Sequence, residues 1–328
     1  MDRLVTIYGG SGFLGRYITR RLAKEGWRVR VAVRRPNEAL FVKPYGVVGQ
    51  VEPVLCNIRD EASVRAAMLG AQAVVNCVGI LSENGPNSFG AVHEDGAGRV
   101  ARIASELGVQ RMVHVSALGA DAESTSDYAR TKAAGEAAVL SAFPGAMILR
   151  PSVVFGAEDR FFNRFASMAL FGPLLPIVGG GTRFQPVYVD DVAQAAVAGV
   201  TGSAAPGVYE LGGPDVRTFR ELMQEMLAVI QRRRLILNLP FFAGRLIAGG
   251  LGLLQAVTFG LVRNKTLTRD QVRNLAHDNV VSDGAAGLAE LGIAPTPVGS
   301  VLPEYLWRYR PSGQYAAIKA SAKNLRKI

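Results

Sequence analysis

The stretch from Leu4 to Gly15, LVTIYGGSGFLG, limits what this chain can become more than any other. An apolar run from Leu4 to Ile7, strand-like in composition, ends in Tyr8 and a glycine turn. Gly9, Gly10, Gly12 and Gly15 satisfy the spacings GxxGxxG and GxGxxG together. Beyond them Tyr17, Ile18, Arg21 and Leu22 recur at helical intervals as far as Glu25. Strand, glycine turn and helix in that order is the setting in which such a motif cradles a dinucleotide. The first glycines admit a tight turn with positive φ. Gly12 lets the backbone approach a pyrophosphate, and Gly15 lets helix and strand pack closely. Ser11, Phe13 and Leu14 complete the cradle, and the helix N-terminus offers N–H groups and a partial positive charge to phosphates.

The first half goes on alternating strands with helices. Strands are expected at Val29 to Val33, Val51 to Cys56, Ala73 to Val78, Arg111 to Ser116 and Ala146 to Leu149. Helices are expected at Asp60 to Leu69, Gly96 to Leu107 and Tyr128 to Phe143. Apolar strands in a βαβ rhythm require a parallel sheet covered on both faces. The fold class expected is therefore α/β, a Rossmann-type doubly wound parallel sheet, with a smaller mixed C-terminal lobe. The 328 residues, 49% hydrophobic and 20% charged, suffice for a full core. The boundaries expected are a dinucleotide domain over 1–155 completed by parts of 185–212, a lobe over 156–310, and a basic tail over 311–328.

A net charge of +10 favours an acidic partner. No aromatic-interleaved basic patch or nucleic-acid motif occurs, so no nucleic acid is expected. Cys56 and Cys77 would end strands that are not neighbours, so no disulfide is expected and a reducing compartment follows. The first strand begins almost at Met1, so no targeting peptide is expected and a bacterial cytoplasmic setting is.

Candidate site residues fall at strand ends, where such sheets bind ligands. After the second strand stand Arg34 and Arg35, where an NAD site would place an acid; guanidinium forks suit a 2′-phosphate, and Arg16 is a third candidate. The cofactor expected is thus NADPH. Asp60 would sit near the adenine. Cys77, Val78 and Gly79 end the fourth strand, with Gly79 allowing close approach. Ser116 ends the fifth, and twelve residues on Tyr128 and Lys132 form YxxxK on one helical face. Lys132 would hold the nicotinamide ribose and depress the Tyr128 phenol, which would exchange a proton with a substrate oxygen oriented by Ser116. Pro151 and Val154 should line the nicotinamide end. His93-Glu94-Asp95 reads as a helix start rather than a metal site, and no metal is expected.

GGSGFLG, NCVG, HVS, YARTK and LRPSVVFG together resemble the short-chain dehydrogenase/reductase superfamily in its atypical or extended branch. EDRFFNRFASM over 158–168, FGP over 171–173 and QPVYVDDV over 185–192 narrow the resemblance to the NADPH-binding accessory subunits of respiratory complex I, the NADH:ubiquinone oxidoreductase. It runs from residue 4 to about 310. It implies NADPH held tightly, a structural or assembly role on the peripheral arm near the membrane without established turnover, and other complex I subunits as partners. It also implies peripheral contact with the cytoplasmic face of a bacterial inner membrane. Ser116, Tyr128 and Lys132 are all retained, so the alternative is a free NADP-dependent reductase or epimerase using Tyr128 as acid/base.

The second half is less regular. Pro176 to Thr182 reads as a flexible loop. Gln185 to Val189 leads into a helix capped by Asp190 or Asp191, and Val208 to Leu211 is a further strand. Thr218 caps a helix running to Ile230. Leu239 to Val262 has Arg245 as its one charge. Its glycines, Gln255 and that arginine argue against a span, while Arg232 to Arg234 before it and Arg263 and Lys265 after it suit an interface or a partner groove. Packing within the core is the other reading of this segment. The tail after Pro311, with Lys319, Lys323, Arg326 and Lys327, is expected to order against a partner.

Overall fold

The computed structural model describes residues 3–83, 85–257 and 268–315. Elements are numbered in chain order, and the chain divides into two compact units.

The first unit comprises the chain up to Ser152 together with Val189–Gly212 and Val281–Pro295. Its strands are β1 (Leu4–Tyr8), β2 (Arg28–Val33), β3 (Val51–Leu55), β4 (Ala73–Asn76), β5 (Arg111–Val115), β6 (Met147–Pro151) and β11 (Gly207–Leu211). They form one parallel sheet in the order β11-β6-β5-β4-β1-β2-β3. The chain runs outward from β1 to β3, then restarts on the other side of β1 at β4. The order reverses between β1 and β4, the place where open α/β sheets take ligands. β1 is buried almost throughout, and its polar groups are satisfied: Thr6 donates to the Ala67 carbonyl and the Tyr8 hydroxyl to that of Val64. An inner strand with both faces covered leaves such groups no water.

Helices α1 (Phe13–Lys24), α2 (Glu61–Met68), α3 (Asp95–Glu106), α4 (Asp127–Ala142) and α6 (Val189–Thr201) cover the sheet. α2 begins where Asp60 accepts from the Ser63 N–H, and α4 where Ser126 accepts from the Ala129 N–H. α3 buries Val100, Ile103 and Ala104 in one cluster with Val64, Met68 and Met112. α6 starts at Val189, so Asp190 and Asp191 lie inside its first turn and neither caps it. Asp190 instead takes both ends of the Arg21 guanidinium, at 2.7 and 2.6 Å, tying α6 to α1. The doubly wound expectation holds. Cys56 and Cys77 are free thiols just past β3 and β4, strands three places apart in the sheet.

The second unit comprises Val153–Tyr188, Gly213–Val280 and the chain from Thr296. It holds β7 (Val154–Phe155), α5 (Phe162–Met168), β8 (Leu174–Val178), β9 (Arg183–Phe184) and β10 (Val187–Tyr188). It continues with β12 (Arg217–Thr218), α7 (Phe219–Val229), β13 (Leu235–Leu239), α8 (Phe241–Val257), α9 (Arg269–Asn274) and α10 (Val298–Leu306). The motif EDRFFNRF is its centre. Phe161 packs against Phe162, Phe165, Phe184 and Phe219 at centroid distances of 5.0 to 6.0 Å. Buried Asp159 accepts from the Asn163 N–H and the Tyr305 hydroxyl, pinning α10 to the start of α5. Thr218 caps α7 in a reciprocal box with Glu221, as expected.

The stretch Pro176 to Thr182 is not a loose loop. It enters β8, paired in parallel with β13, and its glycine turn is fastened by the Asn238 side chain to Gly180 and by the Thr182 hydroxyl to the Leu275 carbonyl. Glycine-rich composition here serves close approach: a Cβ on Gly180 would lie 2.9 Å from the Asn238 oxygen. Among the described residues no helix is long and apolar enough to cross a membrane. The part of 239–262 beyond Val257, and the tail beyond Tyr315, lie outside the described residues.

Candidate dinucleotide site

The site is built at the carboxyl ends of β1, β2, β4 and β5 of the first unit. Gly9 has φ +76°, and a Cβ there would press on the Cys77 carbonyl and the Val78 side chain at 3.3 Å. The turn can therefore lie flat against the end of β4 only as glycine. A Cβ on Gly15 would stand 2.4 Å from the Gly9 oxygen and 2.7 Å from the Gly10 Cα, so α1 approaches β1 as closely as backbone allows. Gly12 takes the N-cap position with no side-chain cap, and no acid occupies the first turn of α1. The first N–H groups, at Phe13 and Leu14, thus face outward with the positive end of the helix dipole behind them. This is a cradle for an anion.

Basic side chains surround it. The Arg16 guanidinium folds back over the turn, donating to the Gly12 and Ser11 carbonyls at 3.3 Å, and lies 4.7 Å from the centre of the Phe41 ring. Arg34 and Arg35 are exposed just past β2. Arg35 pairs with Glu38 at 2.9 Å, an exposed contact of little strength, and Arg34 has no partner among the described residues. Asp60 is occupied as the α2 cap.

At the end of β4, buried Asn76 accepts from the Val78 N–H at 3.1 Å and lies 3.2 Å from His114 Nδ1. Lys132 is nearly fully buried and donates to the Val115 carbonyl at 3.2 Å, directly before Ser116. A Cβ on Gly79 would come 3.5 Å from Lys132 Nζ, so the lysine lies beside the β4 loop as well. Burial, opposed by the Glu136 and Cys77 charges, brings the ammonium down to about 8. Ser116 Oγ and His114 Nε2 are buried and have no hydrogen-bond partner among the described residues. Buried polar atoms left unpaired cost free energy, which a ligand or water bonding there would recover.

The helical face Tyr128–Thr131–Lys132–Gly135 presses on a single π turn, Gly90–Glu94. Gly135 is the reason it can: a Cβ there would fall 2.0 Å from the His93 carbonyl oxygen. His93, expected at a helix start, lies within this π turn ahead of α3. It is buried, accepts the Ile80 N–H on Nε2 at 3.0 Å, and stands 3.2 Å from Thr131 Oγ1 through Nδ1. Its ring is stacked on Phe89 and meets Tyr128 edge-on at 5.3 Å. Phe89 meets the same Tyr128 ring at 5.9 Å, so the two rings fix the tyrosine's plane. Burial and the nearby Lys132 charge push His93 down to about 3, and it stays neutral with its proton on Nδ1. The one sequence signal for this contact was Gly135, a helix-interior glycine seven residues after Tyr128.

Pro151 closes β6, its carbonyl accepting from the Leu118 N–H, while Val154 lies in β7 of the second unit. Of the predicted residues the first unit gathers the glycine turn, the arginines, Cys77 to Gly79, Ser116, Tyr128 and Lys132 at one edge of the sheet. Among the described residues no group of three or more His, Cys, Asp or Glu could hold a metal.

Comparison with known proteins places the fold and the family. Residues 5–212 match the NAD dependent epimerase/dehydratase family. The chain is 38% identical over 316 residues to NADH dehydrogenase (ubiquinone) 1 alpha subcomplex subunit 9 of Arabidopsis thaliana, covering 94% of this chain and 79% of that protein. It is 34% identical over 252 residues to a ceramide reductase of Caulobacter vibrioides, covering 76% of this chain and 77% of that protein. Its fold is shared with an Escherichia coli NADPH-dependent quinone oxidoreductase complexed with NADPH, at a TM-score of 0.70 and 19% identity over 92% of this chain and 99% of that one. The sheet order, the glycine cradle and these likenesses lead to one conclusion: the chain belongs to the NAD dependent epimerase/dehydratase family.

Proposed function

We propose that the chain is an NADPH-holding accessory subunit of respiratory complex I. It would sit peripherally at the cytoplasmic face of a bacterial inner membrane, in contact with other subunits of the complex. The observation that carries this reading is the extent of the likeness. The match to the Arabidopsis subunit runs through 94% of the chain and so includes the second unit, against 76% for the ceramide reductase.

In this reading the turn from Gly9 to Gly15, with Ser11, holds the pyrophosphate, and Arg16, Arg34 and Arg35 hold the 2′-phosphate. The β4 loop of Cys77, Val78 and Gly79 lines the site, Asp60 lies at the adenine end, and Pro151 lies at the nicotinamide end. Tyr128 and Lys132 hold the nicotinamide ribose, and Ser116 Oγ finds its missing partner there. The fit is supported by the open α1 terminus, the unpartnered Arg34 and the orphaned Ser116 hydroxyl. Bound without turnover, the nucleotide stabilises the fold by mass action, about 2.7 kcal/mol when present at a hundred times its Kd.

The test is purification of the native complex followed by extraction of small molecules. A 2′-phosphorylated dinucleotide in near-equal amount with this chain is expected; its absence, or a chain found outside the complex, refutes the proposal. Arg34→Asp with Arg35→Ala should weaken NADPH about a hundredfold or more while NADH binding changes little, since two charge-assisted contacts are removed.

A second reading is a free NADP-dependent reductase or epimerase, favoured by the intact set Ser116, Tyr128 and Lys132. Bound NADPH would supply the hydride, Tyr128 the proton, and Lys132 the charge that orients both. Tyr128→Phe separates the two: unchanged respiration with nucleotide retained fits the accessory role, and loss of turnover on a carbonyl substrate fits the enzyme.

A further inference from the structure

The second unit carries a feature unrelated to the nucleotide. An open groove of about 640 Å³ runs between α7 and the start of β13, lined by Arg220, Arg232, Arg233 and Arg234 with Gln224 and apolar Leu227, Leu235 and Ile236. No acidic residue lines it. The arginines are placed by a reversal of the chain after α7. Gln231 takes φ +54°, and the Gln231 and Arg232 N–H groups bond back to the Ala228 and Leu227 carbonyls. Arg232 and Arg234 are each tethered through Nε, to the Tyr309 and Ala169 carbonyls at 2.8 Å. Arg220 and Arg233 have no side-chain partner among the described residues. Four guanidinium groups drawn to one groove, with no acid among its lining residues, make it a positively charged site.

Beside the groove lies an apolar face of the same unit. β8 and β13 form a two-stranded parallel sheet with Leu174 opposite Leu235 and Pro176 opposite Leu237. The inner face buries Leu175 and Ile177. The outer face is also apolar: Leu235 is 66% exposed, Leu174 49% and Leu237 43%. Leu235 belongs to both the groove and this face. On α8, Phe242 and Leu246, four apart, are likewise exposed. Strands apolar on both faces are normally covered on both faces, and exposed apolar surface rimmed by one sign of charge marks an interaction site.

We propose that this groove and face form a binding site for anionic phospholipid: the arginines take the phosphate ester and the outer leucines rest in the headgroup–acyl boundary. The charge selects the ligand, since four unopposed guanidinium groups match phosphate oxygens. The adjoining apolar strip selects an amphiphile over a free phosphate ion or an acidic peptide. This site deepens the peripheral membrane placement proposed above. It is read on the isolated chain with vesicles, so its failure is separate from failure of the complex I assignment or of nucleotide binding.

The full chain is sedimented with vesicles of phosphatidylcholine alone and of phosphatidylcholine with one-fifth phosphatidylglycerol. Binding to the second and not the first is expected. The double substitution Arg220→Gln with Arg233→Gln should cut that binding about thirtyfold, from the attraction per basic residue near an anionic surface. Both side chains are unpartnered among the described residues, so thermal stability should not fall and NADPH retention should not change. Leu235→Ser should weaken vesicle binding without altering its dependence on phosphatidylglycerol. Equal binding to both vesicle types, no binding to either, or an undiminished double variant overturns the site. Complete release by inorganic phosphate, with ionic strength matched by chloride, reassigns it to a free anion and overturns the lipid.

Discussion

Replacing Gly15 with alanine tests the cradle at its tightest point. The new Cβ would lie 2.4 Å from the Gly9 oxygen, 2.7 Å from the Gly10 Cα and 3.0 Å from the Gly10 carbonyl carbon. Ordinary contact needs about 3.5 Å, so the overlap is on the order of 1 Å. All three obstacles are backbone atoms, and no side-chain rotation relieves them. Either α1 backs away from β1 or the turn opens. α1 is held by Ile18 and Leu22, both fully buried, so neither movement is free. Overpacking of this kind costs about 1–3 kcal/mol. A backbone contact belongs at the upper end, and alanine's better helix propensity returns about 1 kcal/mol. The net expectation is a loss of about 2 kcal/mol, with affinity for the proposed NADPH falling at least about tenfold because the α1 N–H groups would move off its phosphates. The assay is urea unfolding with and without nucleotide, alongside a titration. Gly12→Ala meets one atom, the Gly9 oxygen at 3.1 Å, and should be milder. Gly90→Ala meets nothing within 4 Å and should lose nothing. Wild-type stability and affinity in Gly15→Ala, or equal damage in Gly90→Ala, would refute the reasoning.

Lys132 should leave a pH signature. Its folded value of about 8 lies below the ordinary 10.5, so the unfolded chain binds the proton across that window and the folded chain does not. Stability from this group therefore rises with pH from about 8 to 10.5. Unfolding free energies of the wild type minus Lys132→Met should climb by up to about 3 kcal/mol over that range; a flat difference contradicts the burial. Glu136 is buried and takes the Arg150 guanidinium through three contacts of 2.6 to 3.2 Å. Glu136→Ala should cost about 3–5 kcal/mol by thermal unfolding, because Arg150 keeps only a longer contact to Glu210. Tyr305→Phe removes one donor from buried Asp159 and should cost about 1–3 kcal/mol. Gln231→Gly should instead stabilise by about 1 kcal/mol, since its φ of +54° favours glycine.

Local chemistry carried most of the sequence reading. The glycine spacing, the arginines after β2 and the YxxxK interval follow from chain geometry within a dozen residues, and the βαβ rhythm follows from apolar runs of strand length. Helix starts at Asp60 and Thr218 were legible for the same reason, because a cap bonds to its own first turn. Asp190 was misread as a cap because its partner, Arg21, is 169 residues away. His93 reads as the start of a helix, and its contacts with Ile80, Thr131 and Tyr128 come from two other segments, the loop after β4 and α4.

The sequence by itself determined the doubly wound sheet, the cradle at its first turn and the basic side chains beside it, because each is set by residues adjacent in the chain. Tertiary structure alone decided that Ser116 Oγ and Lys132 are buried. It also decided that Val281–Pro295 belongs to the first unit, and that Leu174, Leu235 and Leu237 of β8 and β13 face outward. Burial depends on which distant surfaces meet, and composition cannot say which of two apolar faces will be left uncovered.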